Sequence, residues 1–246
     1  MDVGQKIMIM ARSLLYHALD GIWAFLMSFA FLPSLILPFW ASDFIARFWT
    51  RSVYWLLRVI CGLTYRIEGM DVIPEGPVIV ASKHQSAWDT LLFPYKLKKS
   101  ATILKRELFW LPFFGWYAKN YGAIGIDRRG GASTIRQMIK DAQKAISTGR
   151  SIIIFPEGTR TTPGEKSFYH GGVAALYSQL KLPVIPVALN SGLYWPRRRL
   201  VRRPGVITLR FLSPIPSGLS RQEFMARLES EIETAQKEIC DPNYQH

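Results

Sequence analysis

The sequence has few of the residues that build disulfide frameworks and metal sites, with only two cysteines and four histidines in 246 residues. Cys61 and Cys240 cannot form a disulfide framework, and neither has a partner at metal-site spacing. The histidines are widely scattered, at His17, His84, His170 and His246. We therefore expect neither a metal nor a cofactor.

Acidic residues are scarce as well: 18 Asp and Glu stand against 31 Lys and Arg, which gives a net charge of +13. Such a charge attracts nucleic acid, an anionic membrane surface or a phosphorylated substrate, and composition alone leaves these three classes open. The hydrophobic share of 49% and the charged share of 20% exclude a disordered chain. The length suits one domain with an attached segment.

One long run without charge lies near the N-terminus, at residues 21–40. Its twenty positions are about the number that a helix needs to cross a bilayer. Pro33 and Pro38 interrupt the helical hydrogen-bond ladder, which favours a bent or re-entrant segment over a straight span. A signal peptide is the alternative, but its apolar region would be shorter and would end at small residues, whereas this run ends in Pro-Phe-Trp.

The following residues, 42–61, predict an amphipathic helix. Its narrow polar stripe, on an otherwise apolar and Trp-rich surface, is typical of a bilayer interface; the stripe consists of Asp43, Arg47, Arg51, Tyr54 and Arg58. Basic residues flank the apolar run on both sides, which favours a hairpin with both ends in the cytoplasm. We expect residues 1–62 to form a membrane or interface segment of two helices.

From residue 63 onward, short apolar runs alternate with helical stretches. Six runs predict strands, at residues 78–81, 102–105, 123–126, 151–155, 184–189 and 206–211. Residues 133–148 predict a helix, and Ser220 with Glu223 has the spacing of a capping box at the start of a last helix that ends near Cys240. The alternation predicts an α/β domain over residues 63–246, with a layered mixed sheet flanked by helices.

Polar groups follow the predicted strands, which is where open α/β sheets place their sites. The first group is His84, just after a strand, with Asp89 in the first turns of the next helix. The carboxylate could hold one imidazole nitrogen while the other faces a cleft, as in a general base with its orienting group. On spacing alone, a surface histidine beside an unrelated aspartate is an equally good interpretation.

The second group combines an aromatic cluster with the basic residues Lys105, Arg106, Arg128 and Arg129. This combination suits a phosphate at a bilayer interface. A solvated cationic edge that covers a hydrophobic cluster is the alternative.

The third group is Phe-Pro-Glu-Gly-Thr-Arg, residues 155–160. It predicts a glycine-containing turn whose N–H groups bind an anion beside the fork of Arg160, while Glu157 could orient that arginine or accept a glycerol hydroxyl. A surface turn with an ion pair is the alternative. The apolar stretch 182–190 could simply be a buried strand beside this turn.

In chain order these groups are His-x-x-x-x-Asp, Lys-x-Glu-Leu, Phe-Pro-Glu-Gly-Thr-Arg and Val-Ile-Pro-Val-Ala, spread over residues 78–189. Their order and spacing resemble the glycerolipid acyltransferase family, and within it the bacterial 1-acyl-glycerol-3-phosphate (lysophosphatidate) acyltransferases. The resemblance implies acyl transfer from acyl-CoA or acyl-carrier protein to the free hydroxyl of 1-acyl-glycerol-3-phosphate, which gives phosphatidic acid. It also implies an inner-membrane enzyme whose site faces the cytoplasm, and contact with anionic lipids but not with nucleic acid.

The same resemblance makes His84 the general base and Asp89 its orienting carboxylate. It assigns the phosphate and glycerol of the acceptor to residues of the second and third groups, namely Lys105, Arg128, Glu157, Gly158, Thr159 and Arg160. Residues 184–188 would line the acyl-donor side. Family members often carry Asn before the histidine, where this chain has Lys83. A cation there could lower the pKa of the histidine or contact a donor phosphate.

Two alternatives stay open on the sequence. The acceptor could be another lysophospholipid, a lyso-ornithine lipid or glycerol-3-phosphate. A basic membrane- or nucleic-acid-binding protein without catalysis would also account for the net charge and for the arginine-rich residues 195–204, although no recognised nucleic-acid module accompanies them.

Overall fold

A seven-stranded mixed sheet forms the centre of the molecule. The computed structural model describes residues 2–97, 99–127, 130–165 and 167–241. Its strands are β1 (Leu63–Glu68), β2 (Ile79–Ser82), β3 (Ser100–Lys105), β4 (Ile124–Ile126), β5 (Ser151–Ile154), β6 (Val184–Leu189) and β7 (Gly205–Phe211). They lie side by side in the order β1-β7-β6-β2-β5-β3-β4. The last five strands of this order are parallel, whereas β1 and β7 run the opposite way.

Helices cover both faces of the sheet. They are α1 (Val3–Ala30), α2 (Phe39–Leu56), α3 (Trp88–Lys96), α4 (Phe114–Tyr121), α5 (Gly131–Ser147), α6 (Gly172–Leu180), α7 (Ser191–Tyr194) and α8 (Arg221–Cys240). Because side chains alternate along a strand, Val80 of β2 joins the apolar cluster of α1, α2 and α3, while Ile79 and Ala81 join that of α5, α6 and α8. The predicted α/β class with a layered mixed sheet is confirmed.

The strand predictions agree with β2 to β7 to within two residues at each end, and the bounds of β6 coincide with the prediction. All six residues of β6 are buried, as expected for a central strand covered on both faces. The strand that the patterns did not identify is β1. It lies at the edge of the sheet, and its polar residues alternate with apolar ones, so it lacks the continuous apolar run of the central strands.

The uncharged run at residues 21–40 is bent, as its two prolines predict, but the helix that enters it begins well before residue 21. Helix α1 begins at Val3, behind a capping box formed by Asp2 and Gln5, and ends at Ala30 in the middle of the uncharged run. A short 3₁₀ turn, Leu32–Ile36, follows with Pro33 in its first turn, and Pro38 precedes α2. Proline supplies no backbone N–H, so the run forms the end of one helix, a turn and the start of another.

Within the described part of the chain, α1 is the helix that is long and apolar enough to cross a membrane, judged by length and composition. Only Ser13 and Tyr16 are buried along its 28 residues. Most of its apolar surface is therefore available to lipid, and this indicates membrane association.

Helix α2 has two different faces. Val53 and Tyr54, together with Leu57 in the single π turn that follows, are buried in the cluster that covers the sheet. On the other face, Phe44 and Trp55 are exposed. The helical segment and the sheet therefore share one apolar core, and the division of the chain at residue 62 stays a prediction.

We expect Leu57→Ala to lower the free energy of unfolding by about 2–5 kcal/mol, because it leaves a cavity between α2 and the sheet. Trp55→Ala is the matched control: its side chain lies two residues away and is 61% exposed, so we expect a change within about 0.5 kcal/mol in detergent. Denaturant unfolding of the purified protein in micelles, followed by circular dichroism, measures both. Equal effects of the two changes would contradict a shared core.

Candidate active site

The site lies where three neighbouring strands end. Strand β2 pairs with β5 on one side and with β6 on the other, all three in parallel, so their carboxyl ends lie together at one edge of the sheet. His84 follows β2, Glu157 follows β5 and Ser191 follows β6. The topology thus brings the first group, the third group and the end of the apolar stretch 182–190 together, although Gln85 and Gly192, which are in hydrogen-bond contact there, are 107 residues apart.

Asp89 holds the histidine ring. Its side chain, in the first turn of α3, has no solvent exposure. One carboxylate oxygen, Oδ2, lies 3.0 Å from His84 Nδ1 and accepts from the backbone N–H groups of Gln85 (2.7 Å) and Ser86 (2.8 Å). The other oxygen accepts from the Ser191 hydroxyl at 2.5 Å. Because an ionised carboxylate only accepts hydrogen bonds, Nδ1 carries the proton and Nε2 keeps its lone pair.

The ring of His84 is also held from one side. The Phe155 ring stacks on it with a centroid distance of 4.1 Å and an angle of 25° between the planes. The imidazole is 14% exposed. Its orientation is therefore fixed by one hydrogen bond and one stacked ring while solvent still reaches part of it.

The backbone of His84 is held by the Phe-Pro-Glu-Gly-Thr-Arg group and the residue after it. Its N–H donates to Glu157 Oε2 at 2.8 Å. Its carbonyl oxygen accepts from both the backbone N–H and the hydroxyl of Thr161, at 2.8 and 3.1 Å. The single proton of the Thr161 hydroxyl is shared between that carbonyl and Glu157 Oε1, which lies 3.0 Å away and also accepts from the Ser167 hydroxyl. One stretch of sequence, residues 155–161, thus holds both the N–H and the carbonyl group of His84.

Comparison with known proteins identifies the family. The Acyltransferase family model matches residues 64–190. A 1-acyl-sn-glycerol-3-phosphate acyltransferase of Pseudomonas aeruginosa is 37% identical over 198 residues, which cover 80% of this chain and 77% of the relative. The chain belongs to the acyltransferase family. The resemblance seen in the sequence is confirmed, and so is the class of enzyme, an O-acyltransferase.

More distant relatives of this acyltransferase bear related names. A 1-acyl-sn-glycerol-3-phosphate acyltransferase of Saccharomyces cerevisiae is 27% identical over 198 residues, which cover 77% of this chain and 65% of the relative. The chain spans about half of the relative from Cocos nucifera, 53% of its length. The crystal structure of the 1-acyl-sn-glycerophosphate acyltransferase of Thermotoga maritima superimposes with a TM-score of 0.75 at 21% identity, over 96% of this chain and 98% of that one. This last similarity shows the shared fold.

Basic residues at the same edge of the sheet are the candidates for binding an anion. Gly158 has a left-handed backbone with φ of 64°, which lets the turn after β5 close between its N–H and the Phe155 carbonyl. Arg160, two residues on, is half-buried, and no carboxylate pairs with its guanidinium among the residues that the structure describes. Lys105, at the end of β3, is half-exposed and lies 3.3 Å from Glu107. Arg128 lies outside the described residues.

Two of the predicted acceptor-binding residues differ in their surroundings. Thr159 is exposed at the tip of the turn. Glu157 is fully buried, and its oxygens accept from the protein itself, through His84 N–H, Lys83, Thr161 and Ser167. Those contacts give Glu157 an internal role, and its contact with a substrate stays a prediction.

Lys83 is a buried lysine that pairs with two carboxylates, which the sequence did not predict. Its ammonium lies 2.8 Å from Glu157 Oε1 and 2.5 Å from Glu233 Oε1 of α8. Burial disfavours the charged form, but the two carboxylates outweigh burial, so the pKa of Lys83 lies above its ordinary value. The buried lysine is therefore charged, and its charge is neutralised inside the protein.

Sequence reasoning did not identify several partners in the site: Thr161, Ser167, Tyr169, Ser191 and Glu233. Two of them could have been found from their position, because Thr161 directly follows the third group and Ser191 directly follows the apolar stretch 182–190. Nothing near Lys83 in the sequence points to Glu233, which is 150 residues away. In the described part of the chain, no group of three or more His, Cys, Asp or Glu residues could hold a metal ion.

Proposed function

We propose that this acyltransferase moves an acyl chain from a thioester, acyl-CoA or acyl-carrier protein, to the free hydroxyl of 1-acyl-glycerol-3-phosphate, with His84 as the general base. The observation that carries the proposal is the geometry of His84, whose Nδ1 faces a buried carboxylate at 3.0 Å and whose backbone is held at both ends. The names of the relatives support the acceptor. The product would be phosphatidic acid.

In the first half of the reaction, Nε2 of His84 takes the proton of the acceptor hydroxyl as that oxygen attacks the thioester carbonyl carbon. The carbonyl π electrons move onto its oxygen, and a tetrahedral oxyanion forms. The imidazolium that results is stabilised by Asp89, which stays ionised. The buried position of the carboxylate strengthens this interaction because little water screens it.

In the second half, the oxyanion collapses, the bond from carbon to sulfur breaks, and the thiolate leaves. The proton on Nε2 passes to the sulfur, so the histidine returns to its starting form. The new ester keeps the acyl chain on the glycerol oxygen. No covalent acyl-enzyme is needed. In agreement with this, neither Cys61 nor Cys240 lies within the four groups of residues.

The phosphate of the acceptor is best matched by Arg160, with Lys105 and Arg128 as further cations. An arginine can bind two phosphate oxygens at once with its planar fork. Arg160 follows the turn after β5, the same turn that carries Glu157 beside His84. A phosphate held there would keep the glycerol end of the lipid near the base.

The arginine loop, residues 195–204, fits an anionic membrane surface. Arg198, Arg199 and Leu200 are exposed at its tip, and their combination of positive charge with an apolar side chain suits a lipid head-group layer. The loop is attached to the apolar helix α1, because the Arg202 N–H donates to the Ser13 hydroxyl at 2.8 Å. We propose that the enzyme is bound to the inner membrane with the site on the cytoplasmic side.

His84→Ala is expected to lower kcat by about 10² to 10⁴, the usual contribution of general acid–base catalysis, while substrate binding survives. His170→Ala is the control, because His170 is exposed and has no part in the proposed site. Steady-state kinetics of the purified enzymes in micelles with a thioester donor measure both. Near-normal turnover of His84→Ala would overturn the assignment of the base.

Arg160→Met is expected to raise the KM for the phosphorylated acceptor by about 10- to 100-fold, since a hydrogen-bonded charge is typically worth about 1.5–3 kcal/mol. The KM for the donor should stay the same. Arg227→Met, an exposed arginine paired with Glu231 on α8, is the control. An unchanged acceptor KM with only kcat reduced would count against phosphate binding by Arg160.

We expect the enzyme to bind anionic vesicles more tightly than neutral ones. The double change Arg198→Gln/Arg199→Gln is expected to reduce this gain in affinity. Each basic residue near such a surface contributes about 1 kcal/mol, so the gain should fall by about 10- to 30-fold. Cosedimentation with phosphatidylglycerol and with phosphatidylcholine vesicles measures the gain, and Arg227→Gln should leave it unchanged. Salt-sensitive binding to DNA, lost in the same variant, would point to nucleic acid instead.

A further inference from the structure

A buried lysine stands directly before the proposed base. Lys83 follows β2, and its backbone N–H continues the pairing with β6 by donating to the Val187 carbonyl at 2.9 Å. Its side chain extends toward α8, where the ammonium contacts Glu233, and only 2% of it is exposed. A second group, the Tyr169 hydroxyl, donates to the same Glu233 oxygen at 3.0 Å. The ammonium is thus enclosed by protein groups on the side of the sheet that α8 covers.

These contacts form a continuous path from α8 to the histidine. Glu233 contacts Lys83, Lys83 contacts Glu157 Oε1, and Glu157 Oε2 accepts the N–H of His84. Glu157 has no solvent exposure at its side chain. A buried carboxylate without a compensating charge takes up a proton or moves toward water. A carboxylate that moves toward water no longer accepts from the His84 N–H, and a protonated one accepts more weakly.

We propose that Lys83 is a positioning residue for acyl transfer: it keeps Glu157 in place as the carboxylate that holds the backbone of His84. The inference rests on the proposed role of His84 as the base. Its consequence is kinetic. Loss of the ammonium displaces the base relative to the hydroxyl, and a displacement of about 1 Å can cost about 10²-fold in rate.

A direct role for Lys83 in binding a donor or acceptor phosphate does not match these contacts. Both of its charged partners are carboxylates of the protein, at 2.8 and 2.5 Å. A phosphate would have to displace one of them from an ammonium group whose side chain is only 2% exposed. Lys83 therefore acts through Glu157 on the base and leaves phosphate binding to the exposed cations.

The test uses Lys83→Met, which keeps an unbranched side chain one atom shorter and removes the charge, in the full-length enzyme in micelles. We expect kcat to fall by about 10- to 100-fold while the KM values for acceptor and donor change by less than about threefold. Lys237→Met is the matched control, because Lys237 is an exposed lysine of α8 that lines the same cavity of about 850 Å³ as Lys83 and Glu233. This control should keep normal kinetics.

A second change distinguishes positioning from general damage to the fold. Adding Glu157→Gln to Lys83→Met removes the uncompensated charge and keeps a carbonyl oxygen that can accept the His84 N–H. We therefore expect the double variant to recover kcat by at least about fivefold over Lys83→Met alone, which is a coupling between contacting residues. Additive losses, or a kcat of Lys83→Met within about twofold of normal, would overturn the proposal. So would a raised KM with unchanged kcat, because it would make Lys83 a substrate contact.

Glu233→Gln covers the case in which Lys83→Met does not fold. Glu233 is 30% exposed at its side chain, so the change is mild; we expect a normal melting temperature and a kcat at least about threefold lower. A folded Glu233→Gln enzyme with normal kcat, beside an unfolded Lys83→Met, would make Lys83 structural only. His84→Ala measured alongside separates the two proposals. If it is inactive while Lys83→Met is normal, only this inference fails; if it is active, the proposed base fails.

Discussion

Two carboxylates buried at one edge of the sheet, those of Asp89 and Glu157, are the constraint on which the rest of the site depends. A carboxylate away from water must receive hydrogen bonds or an opposite charge, and both receive several. In collecting those donors, Asp89 fixes the ring of His84 and Glu157 fixes its backbone. Because both carboxylates are removed from water, they need these hydrogen bonds for stability. The same hydrogen bonds hold the ring and the backbone of His84 in place. For the base that we propose, a position held in this way means little reorganisation when it takes a proton.

The order of the strands is what brings the donors to the carboxylates. Strand β2 lies between β5 and β6, so the loops after all three strands meet, although they are far apart in sequence. This could be predicted in outline, because polar residues after parallel strands share one edge and each strand had a continuous apolar run. The bounds of β6 followed from its own apolar run, whereas the spacing of His84 and Asp89 allowed their contact without deciding between a pair and two unrelated side chains. Short-range features of this kind depend on the local chain and are therefore visible in the sequence.

Other features depend on how segments far apart in the chain pack together, and local sequence patterns do not predict such contacts. The turn after β5 predicted an anion site, but whether Glu157 points outward to a ligand or inward to Lys83 depends on α8, which supplies Glu233 from 150 residues away. The start of α1 at Val3 is not marked by the uncharged run, because a helix capped by Asp2 tolerates Lys6 and Arg12 on its exposed surface. The edge strand β1 was missed because half of its residues are polar.

The arginine loop could hold the proposed membrane contact and the proposed site at a fixed separation. Its Arg202 is attached to Ser13 of α1 and stacks on Trp195 at 4.1 Å, while its Arg197 donates to the Arg160 carbonyl at 2.7 Å. One loop thus contacts both the apolar helix and the turn proposed to bind the phosphate. Since α2 packs in the core that covers the sheet, the helices cannot move far without disturbing the strands that carry His84. A lipid whose chains lie along α1 would therefore reach the site with its head group at a depth set by the fold.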